Sequence, residues 1–318
     1  MISRRNIRVK VMQSLYALEA MHEPLEAQTT TASAAEVEKL GLRLLAEKIR
    51  KSSNTFALSM LYITKVAQFA EVTARQRASK YLATDADKDV NTKIAGNTFL
   101  WSLLENNTFE EKIKEDKLEL AIADEWVKKM FLSLEKSESY QKYIAQAERT
   151  SASEKQILLH IWQTEMLANE DFQEYLEDEW DNWEDDKDMV KMLIENYFKS
   201  PKNFNFLQFI SAEKKEFAQT LLKTVLEKDD HLVTLIKPKL KNWDAERVAN
   251  IDLLLLKMGI AELLYFPTIP TKVTINEYIE VAKSYSTPQS GQFVNGVLDN
   301  LLKELVAENK IRKVERNK

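Results

Sequence analysis

Glycine and proline are nearly missing from this chain: of 318 residues, five are glycine and six proline. Those two residues supply most of the positive-φ turns and enforced breaks on which hairpins and tight loops depend. Leu, Ala, Lys and Glu, which cost a helix little, are abundant instead. The fold class that follows is all-α. A hydrophobic content of 44% suffices to bury one large core or two of ordinary size. With no cysteine, a disulfide framework, a thiolate zinc site and a cysteine nucleophile are all excluded.

The N-terminal "MISRRNIRVKVMQSLYALEA" has early basic residues but no uninterrupted apolar core and no small-residue cleavage site, so it reads poorly as a signal peptide. No run approaches bilayer-spanning length. A cytoplasmic location without membrane attachment is the expectation.

The net charge of −5 conceals a segregation along the chain. Residues 1–18 carry Arg4, Arg5, Arg8 and Lys10 and no acid, and "KIRKVERNK" at the end carries five basic residues against Glu315. From Glu165 to Asp188 there are twelve acids and one lysine. Basic ends around an acidic centre suggest an anionic partner at the termini; each run alone also reads as a solvated face.

Ser3 is a good N-cap for a first helix to about Met21, with Ile7, Val11, Leu15 and Leu18 as its buried stripe. Arg5, Arg8, Met12 and Tyr16 recur on a neighbouring face, an exposed basic edge leading to an aromatic ring. "LEAQTTTASAAEVEKLG" reads as a loose connection into a long amphipathic helix from about Ala35 through Tyr81. Breaks follow at residues 105–108, 149–153 and 199–205. Trp101, Trp126, Trp162, Trp180 and Trp183 read as core or interhelix packing. Beyond Ser211 a very apolar helix spans from near Asp244 to Tyr265 and stops at "FPTIP". Thr274 and Glu277 form a capping-box pattern, and Pro288 opens the last helix. Gly296 lies inside that helix at a cost of ~1 kcal/mol relative to alanine, which either close helix packing or the close approach of a ligand backbone would explain.

No G-x-G occurs, so neither a dinucleotide fold nor a P-loop is supported. His22, His160 and His231 are far apart and none has H-x-x-x-H spacing, so no metal site or other cofactor is expected. The carboxylates suit a solvated surface better than a catalytic dyad. No enzymatic activity is assigned. Nucleic-acid binding fits better, since cations neutralise phosphates and single strands also need a ring on which bases stack.

Two separated segments, "RRNIRVKVMQSLYALE" and "ELLYFPTIPTKVTINEYIEVAKSYSTPQSGQFVNGVLDNLL", together resemble the first and last parts of the transcription antitermination factor NusB family. The C-terminal signature is met by Glu262-Leu263, Pro270, Lys272-Val273, Ile275-Asn276-Glu277, Glu280, Ala282-Lys283 and Phe293 through Asp299. The resemblance implies two packed helical bundles that bind boxA-type single-stranded RNA in ribosomal RNA transcripts, in complex with ribosomal protein NusE within the transcription elongation complex. Carried over by position, it implies RNA contacts at Arg4, Arg5, Arg8, Lys10, Tyr16, Lys283, Phe293, Asn295 and Gly296, and a protein-partner residue at Asp252. Similarity at the two ends alone implies segments 1–24, a helical insertion 25–211 that can include a diverged second helix of the first bundle, a main part 212–308, and a basic tail 309–318. The alternative is a protein-interaction scaffold whose acidic insertion carries the function.

Overall fold

The computed structural model describes residues 1–22, 33–81, 84, 90–201, 204–242 and 249–314, and no strand occurs among them. In chain order the helices are α1 (Arg4–His22), α2 (Ala34–Ala78), α3 (Thr98–Leu104), α4 (Asn107–Glu115), α5 (Asp124–Lys136), α6 (Glu138–Ala145) and α7 (Ser151–His160). They continue with α8 (Glu170–Glu179), α9 (Trp183–Tyr197), α10 (Ala212–Glu227), α11 (Asp229–Ile236), α12 (Asn250–Tyr265), α13 (Thr271–Tyr285) and α14 (Ser290–Ala307). The loose connection after His22 falls largely outside the described residues, as do the start of the apolar helix near Asp244 and the last part of the basic tail.

Side-chain caps define most starts. Ser3 Oγ accepts from Asn6 N (3.1 Å), Asn106 Oδ1 from Thr108 N and Phe109 N, and Ser211 Oγ from Lys214 N (3.4 Å). Ser33 and Glu36 form a reciprocal capping box at α2. The capping box read at Thr274 and Glu277 is a correction: α13 already begins at Thr271 with Pro270 as N-cap. Thr274 therefore sits inside the helix, and its hydroxyl donates to Glu262 instead (2.8 Å). The last helix starts at Ser290, two residues after Pro288.

The chain divides into two compact units, Met1 with Arg50–Phe209, and Ile2–Ile49 with Ile210–Lys318, so the division falls within α2. In the unit of Arg50–Phe209, the long helix departs from the amphipathic reading. Phe56, Ala57, Leu58, Met60, Leu61, Tyr62 and Ile63 are all buried, which makes this stretch a central helix covered all round. Hydroxyls are tolerated there because each bonds the preceding turn: Ser59 to Thr55 O (2.8 Å) and Thr64 to Met60 O (2.9 Å). Trp162 and Trp183 are buried in this core and Trp180 nearly so, whereas Trp101 is exposed.

The other unit packs α1, the first part of α2, and α10 through α14. Ile7, Val11, Leu15 and Leu18 of α1 are all buried. Residues 34–49 lie in this unit, and Gly41 marks their close approach to it. A Cβ at that position would lie 2.8 Å from Leu18 Cδ1 and 3.1 Å from Leu222 Cδ2, so the bare backbone lets α1 and α10 close on α2. The pair Lys223–Glu38 (2.7 Å) joins the same helices.

Beyond α14 the chain turns back. Asn309 has a φ of 52°, and Lys310 N donates to Leu305 O (2.8 Å), a left-handed helix stop. Lys313 Nζ then donates to the carbonyls of Glu262 (2.9 Å) and Phe266 (2.8 Å) at the end of α12. Burial pulls the pKa of Lys313 down from 10.5 to about 8, with the Glu262 charge opposing. Between those values the unfolded chain binds more protons than the folded one, so this group's contribution to stability rises with pH from about 8 to 10.5. Urea midpoints of wild type and Lys313→Met across that window are the check. The rise should disappear in the variant; identical slopes would exclude Lys313 as its source.

Candidate nucleic-acid interface

The arginines of α1 divide into two environments. Arg8 is 2% exposed, and its guanidinium donates to both oxygens of Glu262 (Nε 2.8 Å, Nη2 2.7 Å). It lies over the rings of Phe217 (5.3 Å) and Tyr278 (5.8 Å). Glu262 also accepts the hydroxyls of Thr274 (2.8 Å) and Tyr278 (3.2 Å), so both its oxygens are satisfied. Burial disfavours the charge on Arg8, but the hydrogen bonds of Glu262 and the nearby Tyr278, Glu262 and Glu277 outweigh it and hold the pKa above the ordinary arginine value. The same burial and the Glu262 charge push Tyr278 well up. The exposed basic edge read through Arg5, Arg8, Met12 and Tyr16 is therefore interrupted, because Arg8 and Met12 both face the core.

Arg5 is displayed, with half its side chain exposed, and bonds Glu277 through Nε (3.0 Å) and Nη2 (2.9 Å). The Glu277 bond raises its pKa, with Glu280 adding to the effect. Arg4 pairs with Glu213 and lies over Phe217 (5.9 Å). Tyr16 is 45% exposed, three turns along α1 from Arg5 and on the same side. Lys283 is exposed and pairs with Glu280 (2.8 Å). Its stem lies where a Cβ on Gly291 would be, 2.9 Å from Cγ. Asn295, one turn on from Gly291, is exposed, as is Gly296. Arg5, Glu277, Glu280 and Lys283 thus follow one another over α1 and α13, and the Lys283 stem covers the buried Gly291 one turn before the exposed Asn295 of α14.

Three other predicted residues are not displayed. Lys10 is 1% exposed and Phe293 is 5% exposed, and Asp252 is buried. Phe293 was expected near an exposed helix start; it packs inward because Ser290, Gly291 and Val294 beside it are also in the interior. Asp252 Oδ2 accepts the Ser290 hydroxyl (2.6 Å), which ties the start of α12 to the start of α14. The carboxylates Glu262, Glu277 and Glu280 were read only as signature positions, and their role as partners of the α1 and α13 cations depends on helix proximity.

Among the described residues nothing lies within 4 Å of where a Cβ on Gly296 would stand, so close packing among them does not explain it. Gly296→Ala should stabilise the protein by up to ~1 kcal/mol through helix propensity, a change that thermal unfolding reads directly. A loss of stability would mean a contact that the geometry does not contain.

The profile of the NusB family matches residues 179–303. A transcription antitermination protein NusB of Salinibacter ruber is 41% identical over 102 residues, which are 32% of this chain and 64% of that protein. Its counterpart in Thermodesulfovibrio yellowstonii is 38% identical over 120 residues, covering 34% of this chain and 80% of that one. The chain belongs to the NusB family. It covers less than two thirds of the Salinibacter protein, and 66% of a Methylacidiphilum infernorum NusB at 42% identity. Among solved structures, T. maritima NusB is 30% identical, with 36% of this chain and 86% of that chain covered and a TM-score of 0.30. In this NusB-family chain, the profile's span contains α12 through most of α14 and thus Glu262, Glu277, Glu280, Lys283 and the exposed Asn295-Gly296. No helix among the described residues is long and apolar enough to cross a membrane.

Proposed function

We propose that this protein is a non-enzymatic, RNA-binding transcription antitermination factor that takes boxA-type single-stranded RNA of ribosomal RNA transcripts together with ribosomal protein NusE. The observation that carries this reading is the set of surface cations Arg4, Arg5 and Lys283 on α1 and α13 beside the exposed Asn295 and Gly296 of α14, in a chain whose relatives bear the antitermination name. Arg4, Arg5 and Lys283 would neutralise phosphates. Arg4 and Lys283 are now paired with exposed or half-exposed carboxylates whose attraction is weak in water, so exchange of carboxylate for phosphate costs them little, whereas Arg5 is held by the mostly buried Glu277. Tyr16 offers a ring for a base, and Asn295 with Gly296 a place where a ribose-phosphate comes close. Arg8, Lys10 and Phe293 act from beneath by fixing α1 and α14. Asp252 would serve the NusE side through Ser290, by holding the start of α14.

The test is titration of a boxA RNA and a scrambled RNA, with and without NusE. Arg4→Gln/Arg5→Gln should weaken boxA binding about 25-fold at 0.1 M salt, two losses of about 5-fold multiplied, and flatten the salt slope by about 1.4, the sum for two single-strand contacts. Equal affinity for both RNAs in all conditions would sink the proposal. A scaffold role for the unit of Arg50–Phe209 is the second reading, favoured by its separate core and by exposed Glu174, Glu177 and Asp178 along α8. It requires that neutralising those acids remove a protein partner while boxA affinity stays intact.

A further inference from the structure

Chain ends fray unless something ties them down, and ordering each residue costs about 1–2 kcal/mol of backbone entropy. The segment after α14 is nevertheless held at several points. Lys313 Nζ bonds two carbonyls at the end of α12, Val314 N donates to Pro267 O (2.9 Å), and Asn309 supplies the left-handed turn that sends the chain back. An ammonium donor is suited to that seat, because the carbonyls of Glu262 and Phe266, each already taking a backbone N–H, keep a second lone pair open and lie at the negative pole of the helix.

The seat has a particular neighbourhood. One of the two carbonyls belongs to Glu262, whose carboxylate holds Arg8 (2.7 Å). The other belongs to Phe266, whose ring meets Phe217 edge-on (5.5 Å), and Phe217 lies under Arg4 and Arg8. The basic segments at the two ends of the sequence thus converge on the same end of α12. On the docked segment Arg312 is exposed, and so is Lys310, which pairs with Glu308 (2.7 Å) on the surface.

We propose that the segment Lys310–Lys313 is a second, docked basic arm of the RNA surface, with Lys313 as its anchor and Arg312 as the group that meets the phosphate backbone of a single strand. This rests on the RNA reading above and adds to it a contact outside the profile match, which ends at residue 303. The anchor is a positioning residue: it sets where Arg312 stands and does not itself meet the RNA.

The experiment is titration of the full chain with boxA-type single-stranded RNA over a range of KCl, using Arg312→Gln, Lys313→Gln and, as a control, Arg5→Gln. Arg312→Gln should weaken binding about 5-fold at 0.1 M salt and lower the salt slope by about 0.7. Lys313→Gln should produce a comparable loss although Arg312 is still present, since the arm is then undocked. Wild-type affinity and slope in both tail variants, with a loss in Arg5→Gln, would overturn the arm and leave the RNA reading standing. A loss in Arg312→Gln without one in Lys313→Gln would overturn the docked geometry. Unchanged binding in all three, or no RNA binding by the wild type, would overturn the RNA reading and the arm with it.

Discussion

Arg8→Met should lower the unfolding free energy by about 3–5 kcal/mol, because it leaves the Glu262 carboxylate uncompensated in the interior. Glu262 is fully buried, and its remaining partners, the hydroxyls of Thr274 and Tyr278, carry no charge to offset it. The methionine keeps most of the volume over Phe217 and Tyr278, so the loss reports electrostatics rather than a cavity. Urea unfolding followed by far-ultraviolet circular dichroism measures it. The double variant Arg8→Met/Glu262→Gln should recover most of the loss, since no charge is left unpaired, and the amide can accept one hydroxyl through Oε1 while its Nε2 donates to the oxygen of the other. A loss below ~1 kcal/mol in the single variant would show that the pair does not hold α1 in place. Its functional weight follows from its place beneath Arg4 and Arg5, which α1 carries at its start.

A comparable loss, about 3–5 kcal/mol, is expected for Trp183→Ala in the other unit. Trp183 is buried and meets Trp162 (6.2 Å) and Trp180 (5.9 Å) edge-to-face, and its Nε1 donates to Gln173 Oε1 (3.0 Å). Truncation removes the ring contacts, opens a large cavity and leaves Gln173 without that donor. Trp183→Phe should cost clearly less, because it keeps much of the ring contact and loses mainly the hydrogen bond. Fluorescence-detected urea unfolding suits the measurement, since five of the six tryptophans lie between residues 101 and 183. Under the RNA proposal, boxA affinity of the folded variant should be unchanged. An equal fall in affinity would place this core in the RNA pathway.

These two residues show what a linear reading reaches. Trp183 lies inside the most acidic run of the chain, yet helical spacing and ring size were enough to assign it to packing. For α1, the spacing of Ile7, Val11, Leu15 and Leu18 identified the buried stripe and Ser3 the start. The same spacing put Arg5 and Arg8 on a common edge, and the structure separates them: one pairs at the surface with Glu277, the other enters the core with Glu262. Lys10, Phe293 and Asp252 were likewise matched by position and are buried. Thr274 and Glu277 had the pattern of a cap, but their side chains serve Glu262 and the α1 arginines.

The sequence by itself determined the helical class, the limits of the first two helices and the family, because caps, propensity and a signature motif are local properties; most breaks between Thr98 and Tyr197 were not legible in it. Only the tertiary structure decided which cations face outward. Taking an ion from water costs several kcal/mol unless a counter-ion and further hydrogen bonds meet it inside. For Arg8 that counter-ion is Glu262, 254 positions along the chain, so no local pattern around Arg8 could distinguish it from Arg5.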